Sequence, residues 1–169
     1  EGSSLILREK ISGTTNSPSG SMDWSPCGRY LALTSTSRGV RVFKRTSFPG
    51  SGISGLTEMT NSELNLGVTG SSVKWSKLGR YLYVRAAGSP GFYRLERNSD
   101  SFQVLPARVI PNPSETVYPL AVSPDDQYVA TSYMWPSSTL RMIVLDLKVT
   151  TSADSISVFE PQPVRIPTA

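Results

Sequence analysis

The chain has 169 residues, 38% of them hydrophobic, and a formal net charge of +4. This is enough length and apolar content for one domain with a core, and more apolar content than a disordered chain carries. The chain has no histidine and one cysteine, Cys27, which excludes Ser-His-Asp and Cys-His catalysis, histidine metal sites and an intrachain disulfide.

The first predicted elements lie in residues 1–20 and in a unit of about residues 21–60. Residues 4–8 are a short apolar run that predicts a strand, and the Thr-, Ser-, Pro- and Gly-rich stretch 14–21 predicts a loop. The unit that follows predicts four strands separated by turn residues. These strands cover residues 22–24, 30–34, 40–44 and a stretch within 53–59.

Two further units follow the same plan, over about residues 72–105 and 119–150. The second unit predicts strands at 72–75, 81–85, 92–96 and 102–105, and the third at 119–122, 128–132 and 141–146. Residues 151–169 predict an outer strand at 156–159 and an extended, proline-punctuated tail. No stretch carries a helical period, so the chain is predicted to be all-β.

One short phrase returns in each of the three units. It begins at Trp24-Ser25, again at Trp75-Ser76 and again at Val122-Ser123, with 51 residues between the first two copies and 47 between the last two. Repeats of this length are typical of architectures in which one unit cannot bury its apolar face alone and stacks on the next.

A strand, a turn of the form Ser-Pro-x-Gly-Arg-Tyr and a second strand resemble the blades of WD-repeat and related β-propellers. The resemblance covers about residues 20–150 and is best at residues 24–32 and 122–130. Leu145-Asp146 stands where a Trp-Asp pair would be, and no Gly-His dipeptide can occur, so the chain resembles a divergent propeller. The resemblance implies blades of three to four antiparallel strands.

Three blades are too few to close a propeller, since propellers use about four to eight. We therefore expect oligomerisation or other chain segments to complete the set. The strand predicted at residues 4–8 is a candidate for completing a blade, and deletion of residues 1–10 is expected to weaken association more than secondary structure.

Nine residues are predicted to be structural parts of the repeat. Glycine tolerates the positive φ that the turn requires, and Asp126 takes that place in the third copy. A tyrosine begins each second strand, where its ring can cover the neighbouring sheet. Trp24 and Trp75 are expected to wedge between adjacent blades. The nine residues are Trp24, Gly28, Tyr30, Trp75, Gly79, Tyr81, Ser123, Pro124 and Tyr128.

Few residues remain that could carry out catalysis. Asp125-Asp126 is the one adjacent acidic pair, and it lies on a predicted turn, which favours a turn-forming role over acid–base work. Residues 50–55 match G-x-G-x-x-G by spacing alone, without the strand, helix and acid that would give the match meaning. Cys27 is read as an ordinary turn residue. We predict no catalytic residue, no cofactor and no metal.

Arg38, Arg41 and Arg45 cluster around one predicted strand and are the candidate contacts with a partner. Their alternation with apolar residues favours the solvated face of an amphipathic strand. An acidic protein partner is the second interpretation, and nucleic acid is ranked last.

The sequence thus predicts a non-enzymatic structural or docking module in a larger protein assembly, for which a virion component such as a phage tail or baseplate accessory protein is one setting. Two alternatives stay open: a polyanion or nucleic-acid binder that uses the basic strand face, and a carboxylate-based enzyme fragment. The expected partners are other proteins or further copies of the chain. No transmembrane run or signal-peptide pattern occurs, and a cytoplasmic or virion location is favoured over a secreted one.

Overall fold

The structure is a computed structural model that describes residues 18–47, 54–87, 91–109, 117–134 and 140–147. In these ranges the chain forms eleven strands and one short 3₁₀ turn, Ser62–Leu64. The strands are β1 Pro18–Trp24, β2 Tyr30–Ser35, β3 Gly39–Ser47, β4 Ser54–Glu58, β5 Gly70–Trp75, β6 Tyr81–Ala86, β7 Gly91–Asn98, β8 Ser101–Val109, β9 Val117–Val122, β10 Tyr128–Met134 and β11 Leu140–Asp146.

The strands form three antiparallel sheets, and each strand pairs with its neighbour in the chain. The first sheet has the order β1-β2-β3-β4, the second β5-β6-β7-β8 and the third β9-β10-β11. Such sequential pairing needs only short turns between strands. The prediction of an all-β chain built from small antiparallel sheets is confirmed.

The same turn joins the first two strands of every sheet. The hydroxyl oxygens of Ser25, Ser76 and Ser123 accept a hydrogen bond from the amide of the tyrosine five residues later, at 2.9, 3.0 and 2.8 Å. Three residues after the serine, the backbone of each turn has a positive φ, at Gly28, Gly79 and Asp126. Glycine and aspartate tolerate this conformation, so the turn chemistry of the repeated phrase explains the hairpin.

Two apolar clusters join the sheets. The cluster between the first and second sheets includes Tyr30, Ala32, Val40 and Val42 from one side. From the other side it includes Val73, Trp75, Leu82, Val84, Leu95 and Phe102. A smaller cluster joins the second and third sheets and contains Tyr83, Phe92, Leu120, Val129 and Leu147. The sheets therefore stack in chain order, and the first strands β1, β5 and β9 lie side by side.

Side chains of one first strand also bind the backbone of the next. Ser21 Oγ accepts a hydrogen bond from the Val73 amide at 3.1 Å, and Ser72 Oγ accepts one from the Leu120 amide at 3.0 Å. Ser21 and Ser72 hold the same position in their copies of the repeat. The contact between neighbouring sheets therefore repeats, and it satisfies amides at the open edge of each first strand.

Several strands are longer than predicted, most clearly β1 and β8, and one short element was not predicted. β1 begins at Pro18, inside the stretch that was predicted to be a loop, and β8 extends to Val109. The 3₁₀ turn at Ser62–Leu64 was not predicted. It buries Leu64 in the first cluster, and such a single turn is too short to leave a sequence period. The strands predicted at residues 4–8 and 156–159 lie outside the described residues.

Within the described residues, Trp24 does not lie between two sheets, whereas Trp75 does. Its side chain is 47% exposed, whereas that of Trp75 is 5% exposed. Both stand at the same position of the repeat, but Trp75 faces the first sheet, and within the described residues no sheet precedes the first. The burial of this position therefore depends on a neighbouring sheet and not on the residue itself, and the place of Trp24 between two blades stays a prediction.

Candidate functional site

Within the described residues, the first sheet has an apolar face that no other sheet covers, which we call the leading face and define by Met22, Trp24, Leu31 and Leu33. Met22 lies opposite Leu33 and Trp24 opposite Leu31 in the ladder between β1 and β2. Met22 is 65% exposed, and both leucines are half-buried. Cross-strand neighbours share a face of the sheet, so these four side chains form one patch.

The second sheet shows what normally covers such a face. Val73 pairs with Val84 and Trp75 pairs with Leu82, at the same four positions of the repeat. All four side chains are buried against Tyr30, Ala32 and the other first-sheet residues of the first cluster. The leading face therefore has the geometry of a seam between two sheets, with one of the sheets missing from the described residues.

The opposite end of the stack is open as well. The tyrosine that begins the second strand of each sheet is 1% exposed at Tyr30, half-buried at Tyr81 and 41% exposed at Tyr128. Tyr30 is covered by the second sheet and Tyr81 packs on the cluster shared with the third. Within the described residues nothing follows the third sheet, which explains the exposure of Tyr128.

The candidate contacts Arg38, Arg41 and Arg45 do not form one basic stripe. Arg41 forms a two-point ion pair with Glu58, at 2.8 and 2.6 Å, and its guanidinium lies over the Phe43 ring. Arg38 approaches the same carboxylate at 3.7 Å. The hydrogen bonds from Arg41 hold the pKa of Glu58 below its ordinary value of 4.5. Arg38 and Arg41 thus share one carboxylate, which offsets one of their two positive charges. Arg45 lies on the same strand as Arg41 but outside this ion pair.

Arg45 lines an open pocket of about 690 Å³ at the seam between the first and second sheets. Three other cations line it, Arg29 from the first turn, Lys44 from β3 and Arg97 from β7. Among the described residues Arg45 makes no ion pair and no side-chain hydrogen bond. The remaining lining residues are Cys27, Tyr30 and Thr46.

One carboxylate, Asp100, lies beside this group of cations. It accepts hydrogen bonds from Lys44 Nζ and from the Tyr30 hydroxyl, and it lies 3.9 Å from Arg29 Nη2. The hydrogen bonds from Lys44 and Tyr30 lower the pKa of the Asp100 carboxyl, so the group is charged at neutral pH. In the described part of the chain, four cations and one anion leave an excess positive charge in the pocket.

Arg97 has a structural task in this pocket. Its side chain donates to the carbonyl oxygens of Gly79 and Ser99, at 2.9 and 2.8 Å, and its guanidinium lies 5.1 Å from the centre of the Tyr30 ring. These contacts stiffen the wall of the pocket, and the partners of Arg97 are neutral groups.

Cys27 lies on the pocket wall and is exposed. A hydrogen bond from Ser25 lowers the pKa of its thiol, with smaller contributions that include the charge of Arg97. The position in a turn agrees with the sequence prediction, and the chain has no second cysteine. Its thiol can therefore serve as a single chemical reporter of the pocket.

The acidic pair Asp125-Asp126 is engaged in turn structure. Asp126 accepts hydrogen bonds from the amides of Lys77 and Leu78 in the neighbouring turn, at 2.6 and 3.2 Å. Asp125 accepts hydrogen bonds from the Ser123 hydroxyl and the Gln127 amide. Both carboxylates therefore hold backbone and turn side chains in place.

Sequence reasoning missed Arg29, Lys44, Arg97 and Asp100 as members of one site. Alignment of the repeats contained a partial signal, because Arg45 and Arg97 hold matching places: their amides donate to the carbonyls of Arg29 and Arg80. No such signal pointed to Asp100, which reaches the first sheet from the turn between β7 and β8. Among the described residues, no group of three metal-binding side chains is close enough to hold an ion. No helix in that part of the chain is long and apolar enough to cross a membrane.

Comparison with known proteins places the fold. No family model matches the sequence, and no curated protein does. Among solved structures, the chain resembles a candidate 6-phosphogluconolactonase from Bacteroides uniformis, with a TM-score of 0.55 and 13% identity over 82% of this chain and 39% of that one. It also resembles the β-propeller domain of Cps50 (Swd1) from Myceliophteria thermophila, with a TM-score of 0.54 and 17% identity over 80% of this chain and 39% of that one.

The fold is therefore all-β and propeller-like, and each antiparallel sheet is a blade-like unit. At these identities the likeness concerns the fold alone. The chain spans about two fifths of the length of either solved structure. From here on, the three sheets are called the first, second and third blades.

Proposed function

We propose that this chain is a non-enzymatic docking module whose leading face packs against a further propeller blade in a larger assembly. The observation that carries the proposal is the contrast between equivalent positions. Trp24 is 47% exposed on the leading face, and Trp75 is 5% exposed at the seam between the first and second blades. An apolar patch that is buried wherever a blade precedes it is suited to a blade as its partner.

The hydrogen-bonding edge supports the same partner. At the internal seam the amides of Val73 and Trp75 donate to Ser21 Oγ and to Asp23 Oδ2, the second at 2.8 Å. The equivalent amides on the first blade are those of Met22 and Trp24. A partner blade with short, oxygen-bearing side chains on its first strand would accept hydrogen bonds from these two amides in the same way.

A second copy of the chain is the first partner to test, because two sets of three blades make six, within the range of about four to eight that propellers use. In such a ring the leading face would follow the third blade of the other copy, which has Pro119 and Ala121 in the places of Ser21 and Asp23. Apolar packing on the leading face, and not these hydrogen bonds, would then hold the two copies together. A virion particle is one setting for such an assembly. Rigid rings of this kind present loops and faces for binding without catalytic residues.

The test is the mass of the purified chain in solution, measured by light scattering at micromolar concentration. We expect a defined oligomer that Trp24→Ser shifts toward the monomer, because the substitution removes the largest apolar side chain of the leading face. Leu78→Ser is the matched control, since Leu78 is 83% exposed on a turn outside this face. A stable, well-folded wild-type monomer would contradict the proposal.

A further inference from the structure

Equivalent positions of the first and second blades carry side chains of different charge. In the second blade Arg80, in the turn, forms an ion pair with Glu96 on the third strand, with distances of 2.8 and 2.6 Å. Glu96 lies opposite Tyr81 in the ladder, and Lys44 lies opposite Tyr30 at the equivalent place of the first blade. The first blade thus has Arg29 and Lys44, two cations, where the second blade has a neutral pair.

Asp100 neutralises only part of this charge. Its single carboxylate serves Lys44 and Arg29, while Arg97 binds carbonyl oxygens and Arg45 makes no ion pair among the described residues. Like charges held together raise the local potential, and an anion that enters the pocket relieves it. The pocket volume of about 690 Å³ accommodates several side chains.

The anions that the molecule itself places against these cations are carboxylates. The anion among the four cations is a carboxylate, Asp100, and the anion on the equivalent arginine of the second blade is also a carboxylate, Glu96. Among the described residues that line the pocket, the one aromatic ring is that of Tyr30, which is buried with the guanidinium of Arg97 over it. Nucleobases need an open aromatic face for stacking, so carboxylates fit the pocket better than nucleic acid does.

We propose that the pocket formed by Arg29, Lys44, Arg45 and Arg97 binds an acidic segment of a partner protein, with Asp or Glu side chains on its cations. The inference rests on the proposed docking function but uses a surface other than the leading face. Binding of this kind depends on charge, so it weakens as salt rises.

The experiment titrates the full chain with a fluorescent Glu-rich peptide at about 50 and about 300 mM salt. Arg45→Ala is the key variant, because its side chain makes no bond that the fold requires among the described residues. We expect roughly five- to tenfold weaker binding for this variant, which is a typical effect of losing one charged contact. Lys77→Ala removes the same charge from an exposed turn outside the pocket lining and is expected to bind within about twofold of wild type.

Cys27 provides a second measurement in the same samples. Occupancy of the pocket by the peptide is expected to slow the reaction of the Cys27 thiol with a neutral alkylating reagent, since this thiol lies on the pocket wall. The rate is expected to stay unchanged when the peptide is added to Arg45→Ala at the same concentration. A peptide that binds without slowing the reaction would place the site elsewhere and overturn the proposal.

Two competitors test the identity of the anion. Stronger binding of inorganic pyrophosphate than of the peptide would assign the pocket to phosphate groups, and stronger binding of an oligothymidylate would assign it to nucleic acid; either result would overturn the proposal. Absence of peptide binding would overturn it too. Repeating the titration with Trp24→Ser separates the two surfaces, because we expect this variant to bind the peptide normally even where it no longer associates.

Discussion

At the scale of single residues, equivalent positions of the three turns carry different side chains for a physical reason. A Cβ at Gly79 would lie 3.4 Å from Pro26 Cδ, and proline has no amide hydrogen to donate. At the next turn Asp126 faces Lys77 and Leu78, which do have amides and donate to its carboxylate. An aspartate in the third turn therefore accepts two amide hydrogen bonds. An aspartate in place of Gly79 would have one amide donor fewer, because Pro26 has no amide hydrogen.

Asp126→Ala is expected to destabilise the fold by about 1.5–3 kcal/mol, because it removes a charged acceptor from two amides and leaves alanine at a φ of 56°. Asp126→Gly is the control: it loses the same hydrogen bonds but relieves the backbone, as glycine does at residues 28 and 79. Urea unfolding measures both. A loss below about 0.5 kcal/mol for Asp126→Ala would show that the bridge between the two turns contributes little.

At the scale of elements, the first strands β1 and β5 carry a serine and a tryptophan at matching positions but have different environments. Tyr30, Trp75 and Phe102 pack in series across the first seam, with ring centres 6.1 Å apart at each step. Trp75 Nε1 is buried there without a hydrogen-bond partner among the described residues. The burial of Trp75 therefore contributes through packing, while Trp24 on β1 is exposed.

Trp75→Ala is expected to cost about 3–5 kcal/mol, as removal of a buried aromatic does, and Trp24→Ala less than about 1 kcal/mol, as at an exposed position. The comparison is made by denaturant unfolding at a protein concentration where both variants have the same association state, since association itself adds stability. Equal losses for the two variants would mean that Trp24 is covered in solution as fully as Trp75.

At the scale of the whole molecule, stability depends on two seams that hold three small sheets together. The second seam contains Tyr83, which is 1% exposed and packs edge-on against Phe92 with ring centres 5.9 Å apart. Burial raises the pKa of Tyr83 from 10.0 to about 12. The neutral phenol is thus favoured in the folded state, so its contribution is complete below pH 10 and is lost as pH rises through about 12.

We expect the free energy of unfolding of the wild type to fall between pH 10 and pH 12, by at most about 2–3 kcal/mol from this group. Tyr83→Phe has no phenol to ionise and should show a smaller fall over the same interval. Tyr128→Phe is the control, because its ring is 41% exposed at the open end of the third blade. Unfolding curves at several alkaline pH values provide the measurement, and equal slopes for wild type and Tyr83→Phe would rule out this account.

The repeat also shows that a contact beyond the third blade would lack one hydrogen bond of the internal seams. The side-chain oxygens of Ser21 and Ser72 each accept a hydrogen bond from an amide in the first strand of the next blade. The third copy of the repeat has Pro119 at this position. Proline has no side-chain oxygen, so a blade that follows the third cannot be held by the same bond. Contacts at that end of the stack must be made in another way, with Tyr128 as the exposed ring.

The sequence alone determined the all-β class, the hairpins and the turn geometry. These depend on local chemistry: period-two alternation marks the strands, and Gly28, Gly79 and Asp126 tolerate the positive φ that each turn requires. Most strand positions could be predicted for the same reason. The largest errors lie at Pro18–Trp24, which extends into a Gly- and Ser-rich stretch, at the end of β8 and at the single turn Ser62–Leu64.

The tertiary structure alone decided which repeated residues are buried and which charges meet. Trp24 and Trp75 have the same local sequence context, and only the presence of a preceding blade distinguishes their environments. Asp100 lies 56 residues from Lys44 in the chain, and the stacking of two blades brings them together. Local sequence patterns encode strands and turns through short-range sterics, whereas the leading face and the basic pocket arise from contacts between units far apart in the chain.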